Sequence, residues 1–280
     1  GTGSRDDAAF QNGEAALQQS VADYFDAVSF GHYRPQFDIY GPVKIDKPVS
    51  YFKKTNNSNE LLKTACTLMD GTIDFADPKY DSDGDGYVDA VCIMYASYSS
   101  SITRNSSDLI WPHATAVSGF ELDGAKLGRY CVINELNAYP NAYSAAPKKR
   151  INGIGLFCHE FSHVMGLPDL YPTIASSRDD NQGMEYWSLM DGGEYLANGN
   201  APTAYTAWER EAMGWLTIET LDHTQDIEAL KSLDEGGKAY RILNDNDATG
   251  REGYVLENIQ QTAVNARHYG HGLLVYHVNY

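Results

Sequence analysis

Residues 155–171 read GLFCHEFSHVMGLPDLY, and the rest of the chain is best read outward from this stretch. His159 and His163 stand four apart in a helix-compatible run, so a helix projects both imidazoles from one face. Zinc takes nitrogen or oxygen ligands at about 2.0–2.2 Å, and a helical i, i+4 pair supplies two at the right bite. Glu160 adjoins the first histidine, where its carboxylate can serve a metal-activated water as general base. Cys158 faces elsewhere on such a helix, which argues against a fourth ligand. The helix is expected to begin near Asn152 and to stop at Gly166, with Pro168 just beyond.

After His163 the chain continues to Asp169, giving HExxHxxGxxD. Gly166 can take a positive φ and turn the chain back toward the metal. Asp169 then stands where the metzincin pattern has a third histidine, and a carboxylate oxygen is an acceptable zinc ligand. Three protein ligands and one water make a catalytic rather than a closed structural site. Glu185 and Glu194 are the alternatives for the third ligand, with Asp169 then capping a turn. They flank Ser188-Leu189-Met190-Asp191, which resembles the Met-turn of that clan. Tyr171, Tyr186 and Tyr195 are unranked candidates for a phenol that stabilises the oxyanion. His113, in the IWPH run, either lines the cleft or serves structurally, and the structural reading is preferred. A histidine pair satisfied by hydrogen bonds alone is the bland alternative for His159 and His163.

A second pattern lies at Asp81-Ser82-Asp83-Gly84-Asp85-Gly86-Tyr87-Val88-Asp89. Carboxylates at loop positions 1, 3, 5 and 9, with Gly at 6, form most of an EF-hand-type calcium loop. Asp81, Asp83, Asp85 and Asp89 are the expected side-chain ligands, and Tyr87 contributes its carbonyl. Position 12 is Cys92, inside a predicted strand, so a further ligand must come from elsewhere, with Asp74 and Asp77 as candidates. Carboxylates this close repel one another without a cation; a solvated acidic turn is the alternative.

Bulk composition bounds the remaining classes. The chain has 280 residues, with 42% hydrophobic and 21% charged, enough to bury a core without disulfide staples. A formal net charge of −17 argues against a sequence-independent grip on nucleic acid or anionic lipid. No apolar run is long enough to span a membrane. Cys66, Cys92, Cys131 and Cys158 form no zinc or disulfide spacing; Cys92 and Cys131 sit in apolar runs and read as buried thiols. The redox compartment stays open. The opening Gly1-Thr2-Gly3-Ser4 suggests processing or trimming, and the abrupt end at Tyr280 suggests missing downstream domains.

Hydrophobic spacing predicts helices over 14–28, Asn59 to Met69 (capped by Asn57 or Ser58) and 202–214, the last with Pro at its first turn. Residues 36–44 read as extended. Strands are expected at Ala90–Tyr95, Leu127–Leu136, Ala239–Leu243, Gly253–Gln260 and Gly272–Val278. The pattern is α+β: a catalytic domain over 1–216, and a β-rich C-terminal part over 217–280 that packs on it or continues it.

These pieces together resemble the immune inhibitor A-like family of bacterial metallopeptidases. The resemblance rests on Phe30-Gly31 with FDIYGPV at 37–43, DGDGYVDAV at 83–91, IWPH at 110–113, GLFCHEFSHVMGLPDLY at 155–171, YWSLMDGG at 186–193 and AWEREAMGWL at 207–216, in that order. GLLVYHVNY at 272–280 looks like the family's C-terminal strand. The resemblance implies a zincin-like fold, with a mixed sheet and an active-site helix, in a secreted, cell-surface or periplasmic protease that uses zinc and usually calcium. It carries His159 and His163 over as zinc ligands, Glu160 as base and Asp169 within the GLPD segment. Ser162 stands where Gly is common. The expected substrate is a peptide or protein, paired along an edge strand plausibly at Tyr130–Leu136. The rival reading is a catalytically silent, calcium-stabilised extracellular binding module; retention of Glu160 speaks against it. A third is a zinc hydrolase acting on a non-peptide amide.

Overall fold

The computed structural model describes residues 20–55, 57–103, 108–139, 148–177 and 183–279. The architecture is mixed, with several small sheets and few helices. In chain order come α1 (Val21–Val28), α2 (Val49–Thr55), α3 (Ser58–Met69), β1 (Tyr87–Val88), β2 (Val91–Tyr95), β3 (His113–Ala116), β4 (Glu121–Leu122), β5 (Ala125–Leu127), β6 (Arg129–Asn134), β7 (Leu136–Tyr139), β8 (Lys148–Ile151) and α4 (Gly155–Met165). Then follow α5 (Ala207–Ala212), β9 (Glu219–Thr220), β10 (Tyr240–Leu243), β11 (Glu252–Ile259) and β12 (Gly272–Asn279). The chain divides into two compact units, one of 36–168 with 198–200, the other of 20–35, 169–197 and 201–279.

In the first unit, α3 starts where the Asn57 side chain accepts the Glu60 N–H, as the sequence suggested. Leu61, Leu62 and Cys66 on one face of α3 join Phe52, Phe75, Tyr95, Tyr130 and Val132 in a core. The central sheet runs β2-β6-β3, with β6 parallel to β2 and antiparallel to β3. Alternation along β6 decides its two faces. Tyr130 and Val132 point into that core, so Arg129 and Cys131 point the other way, toward α4, which packs across β6 and β3. The Leu127–Leu136 stretch is three short strands rather than one, because β5, β6 and β7 each take different partners. β6 is also interior to its sheet, which removes Tyr130–Asn134 as an edge, while Leu136 already belongs to β7; among the described residues the edge strand that packs against α4 is β3.

In the second unit, α1 begins at a Ser20–Asp23 capping box; the part of the expected helix before residue 20 lies outside the described residues. Its Tyr24 and Phe25 are fully buried and meet Tyr205 edge-on. The helix expected over 202–214 is shorter. Thr206 and Glu209 form a capping box that starts it at Ala207, leaving Pro202 before the helix. The strands after it form one sheet, β12-β11-β10-β9, over Ile218, Leu233, Ala239 and Val255. Beneath the sheet, Glu257 accepts hydrogen bonds from the Ala207 N–H (2.8 Å) and the Tyr276 hydroxyl (3.0 Å). Burial pushes its carboxyl up to about 7. Arg210, also buried, donates to the Val28 carbonyl and to Asp234.

Candidate metal centre

α4 carries the two histidines, and its surroundings hold it firmly. Phe157 and Phe161 on its outer side meet Phe37 edge-on at 5.3 and 5.2 Å between ring centroids. At its C-terminal end the Arg129 guanidinium donates to the Val164 carbonyl at 3.0 Å, placing a cation where the helix dipole favours one. Sequence reasoning missed this arginine, because only the β6 pairing brings it there. The Ser162 hydroxyl donates back to the Cys158 carbonyl at 2.6 Å, so its small polar side chain is absorbed within the helix.

His159 and Glu160 are buried and His163 is half-buried. The two Nε2 atoms lie 3.2 Å apart, close to the ~3.3 Å that two nitrogens on one tetrahedral zinc would show. His163 Nδ1 is 2.7 Å from the Leu167 carbonyl. A carbonyl only accepts, so Nδ1 carries the proton and the neutral ring keeps its Nε2 lone pair for a metal. Leu167 is available for this because the helix ends at Gly166, whose φ is +115° and whose N–H bonds back to His163 and Ser162. A Cβ at Gly166 would meet nothing within 4 Å, so the torsion alone demands glycine.

The turn leads to Asp169. One ligand atom from each of His159, His163 and Asp169 falls within 4.8 Å of the others. Two imidazole nitrogens and one carboxylate oxygen make a donor set whose chemistry suits zinc. Among the described residues, Glu185 and Glu194 fall outside this cluster.

The residue after Asp169, Leu170, donates its N–H to the Met190 carbonyl at 2.8 Å. Ser188, Leu189 and Met190 are fully buried, and the Ser188 hydroxyl shapes their turn by accepting the Met190 N–H and donating to Glu209. Gly193 closes it: a Cβ there would lie 2.3 Å from the Ser188 carbonyl oxygen. The SLMD segment is thus tied through the backbone to Leu170, the residue after Asp169.

Residues 6–216 match the sequence model of a family described as the immune inhibitor A peptidase M6, catalytic domain. The chain belongs to this family. The matched residues are this peptidase family's catalytic domain, and relatives of the chain carry the name metalloprotease. The chain is 26% identical over 225 residues to proteins named pre-pro-metalloprotease PrtV from two Vibrio cholerae serotype O1 strains, covering 71% of the chain and 24% of the relative. It is 24% identical over 164 residues to a Bacillus thuringiensis subsp. alesti protein named immune inhibitor A, covering 52% of the chain and 23% of that protein. The chain therefore spans about a quarter of the length of the relatives it matches. Among the described residues no helix is long and apolar enough to cross a membrane.

Within this M6 domain the three candidate phenols all belong to the second unit. Tyr186 is engaged edge-on with Tyr269 at 4.9 Å, and Tyr171 follows Asp169 by two residues. His113 sits on β3 with Nδ1 donating to the Trp111 carbonyl at 2.7 Å, a contact within its own segment.

In the acidic loop, Asp81, Asp83 and Asp89 bring one oxygen each within 4.8 Å of one another. Gly84 and Gly86 take φ of +75° and +83°, and the Asp85 and Gly86 N–H groups bond to Asp81. Asp85 falls outside the cluster, its carboxylate accepting the Tyr87 N–H. Tyr87 opens β1, paired with Lys126. Asp77 caps the turn at Pro78–Tyr80 and pairs with Lys79, and Asp74 accepts the Ala76 N–H. Among the described residues neither joins the cluster.

Proposed function

We propose that the chain is the catalytic domain of a secreted zinc-dependent endopeptidase on a zincin-like fold, with His159, His163 and Asp169 as zinc ligands and Glu160 as general base. The observation that carries this reading is the convergence of two Nε2 atoms and a carboxylate oxygen at the end of a helix that also holds Glu160. Zinc, when bound, would supply a Lewis acid for the scissile carbonyl and acidify a water. Glu160 takes the proton of the attacking water and returns it to the leaving amine nitrogen. His163 is kept in the ligating tautomer by Leu167. The open side of β3 next to α4 receives an extended peptide by strand pairing, in place of β6. Secretion is supported by the relatives named as pre-pro-metalloproteases.

We also infer a calcium site in the acidic loop, from the side chains of Asp81, Asp83, Asp85 and Asp89 and the Tyr87 carbonyl, with Asp85 swinging in as the cation binds. The catalytic domain is read as 1–216, with 217–280 continuing it. The family match ends at residue 216, and Glu257 on β11 holds the first N–H of α5. The test is metal analysis paired with digestion of a mixed peptide library. One zinc per chain and cleavage abolished by a zinc chelator are expected. Full zinc occupancy with no cleavage of any peptide would favour the silent binding module instead.

A further inference from the structure

The four thiols are not equivalent. Cys66 lies in the core beneath α3, and Cys158 is wholly enclosed on α4. Cys92 and Cys131 are direct register partners on the parallel strands β2 and β6, with their sulfurs 3.1 Å apart. Neighbouring strands run about 4.7–4.9 Å apart, inside the Cα separation of about 4.4–6.8 Å that a disulfide spans. Register partners on a parallel pair project to the same face, so no backbone rearrangement is needed to join them. That face is the one Arg129 uses to reach Val164 on α4. The two sulfurs are therefore sandwiched between the sheet and the metal-bearing helix. Cys92 is half-buried while Cys131 is fully enclosed, which sets an order for any reaction with a reagent from solution.

We propose that Cys92 and Cys131 are a redox-active pair that closes to a disulfide across β2 and β6 by exchange with a small-molecule or protein disulfide. The Cys92 thiolate attacks one sulfur of the oxidant, forming a mixed disulfide and releasing one thiol. The Cys131 thiolate then attacks the Cys92 sulfur, closing the intrachain bond and releasing the second thiol. Two cysteine thiols and one external disulfide become one intrachain disulfide and two external thiols, with both protons accounted for. The bond ties the strand that leaves the acidic loop to the strand beneath α4. This assignment stands independently of which metal either candidate site takes.

The test is refolding of the whole chain in an oxidised/reduced glutathione buffer, then alkylation in denaturant and peptide mass mapping. The expected result is a loss of two hydrogens, a linked peptide pair containing Cys92 and Cys131, and Cys66 and Cys158 both alkylated. The linked protein should melt roughly 5–15 °C above its reduced form, as closure of a loop of this length implies. Cys92→Ala should remove both the linkage and the redox response of the melting temperature, whereas Cys66→Ala should keep both. Alkylation of all four thiols after oxidative refolding would overturn the proposal, as would a linkage through Cys66 or Cys158.

Discussion

His159 and His163 hang from an eleven-residue helix whose backbone satisfies itself, whereas Asp81, Asp83 and Asp89 hang from a loop whose N–H groups turn to the carboxylates. In the first case the imidazole spacing follows from the i, i+4 geometry, and the Leu167 carbonyl holding the His163 Nδ1 proton sets the tautomer before any metal arrives. In the second case backbone donors already share the acidic oxygens, and the proposed ligand set would require a cation to draw in Asp85, whose carboxylate accepts the Tyr87 N–H. The helix site is preorganised for chemistry. The proposed loop site would be organised by its cation, so the two should respond differently to loss of a ligand or of an ion.

The sharpest way to break this comparison is Glu160→Ala. It should lower kcat by about 10²–10⁴-fold while zinc stays bound, since that carboxylate serves the proton and not the metal. His163→Ala should lose both, as read by metal analysis beside peptide turnover. Release of zinc by Glu160→Ala would merge the two roles. Next, Asp169→Asn should weaken zinc affinity by at least about 10–100-fold, measured by competition with a chelator. Glu185→Gln and Glu194→Gln should do less, and the reverse ranking would move the third ligand to one of those glutamates.

A pH control comes before the calcium arm, because Glu257 contributes its own pH dependence. Its carboxyl is raised to about 7 by burial against about 4.3 in an unfolded chain, so between these values the folded state holds the extra proton. Stability from this group is full below pH ~4 and falls as pH rises toward ~7, by roughly 2–3 kcal/mol. Glu257→Gln should flatten that slope in urea melts taken at pH 5 and pH 8. A slope unchanged by the substitution would assign the dependence to other groups.

The smallest effect is expected from calcium. At ten times its dissociation constant it should stabilise the fold by about 1.4 kcal/mol, with zinc content unchanged. Removal should also expose the loop before β2 to proteolysis. A calcium titration that leaves melting temperature and protease resistance flat would reduce the loop to an acidic turn.

Local signals carried most of what could be read in advance. Asn57 before α3, Gly166 after α4 and the period of the two histidines are settled within a few residues, and the structure places each as its chemistry suggests. Reading failed where a longer-range partner or a competing local signal decided the outcome. Pro202 looked like a helix start, but Thr206 and Glu209 satisfy each other's backbone donors and win. Residues 127–136 looked like one strand, but three different partners divide them. β6 looked like an edge because nothing in its own residues announces the two strands that flank it. Arg129 was invisible for the same reason. In the centre itself, the convergence of the two imidazoles was legible from spacing, whereas the contact between Leu170 and Met190 depends on two segments twenty residues apart.

The φ of +115° at Gly166 has a mechanical consequence. Asp169 lies three positions beyond it, at the end of a lever no longer than ~10 Å, so a 10° error in that one torsion sweeps the far end through up to ~1.7 Å. Coordination bonds tolerate about ±0.2 Å. For the ligand role proposed for Asp169, its aim is therefore governed by angular accuracy at a single hinge, and the bonds that clamp the lever on either side, Leu167 to Ser162 and Leu170 to Met190, act as its stops.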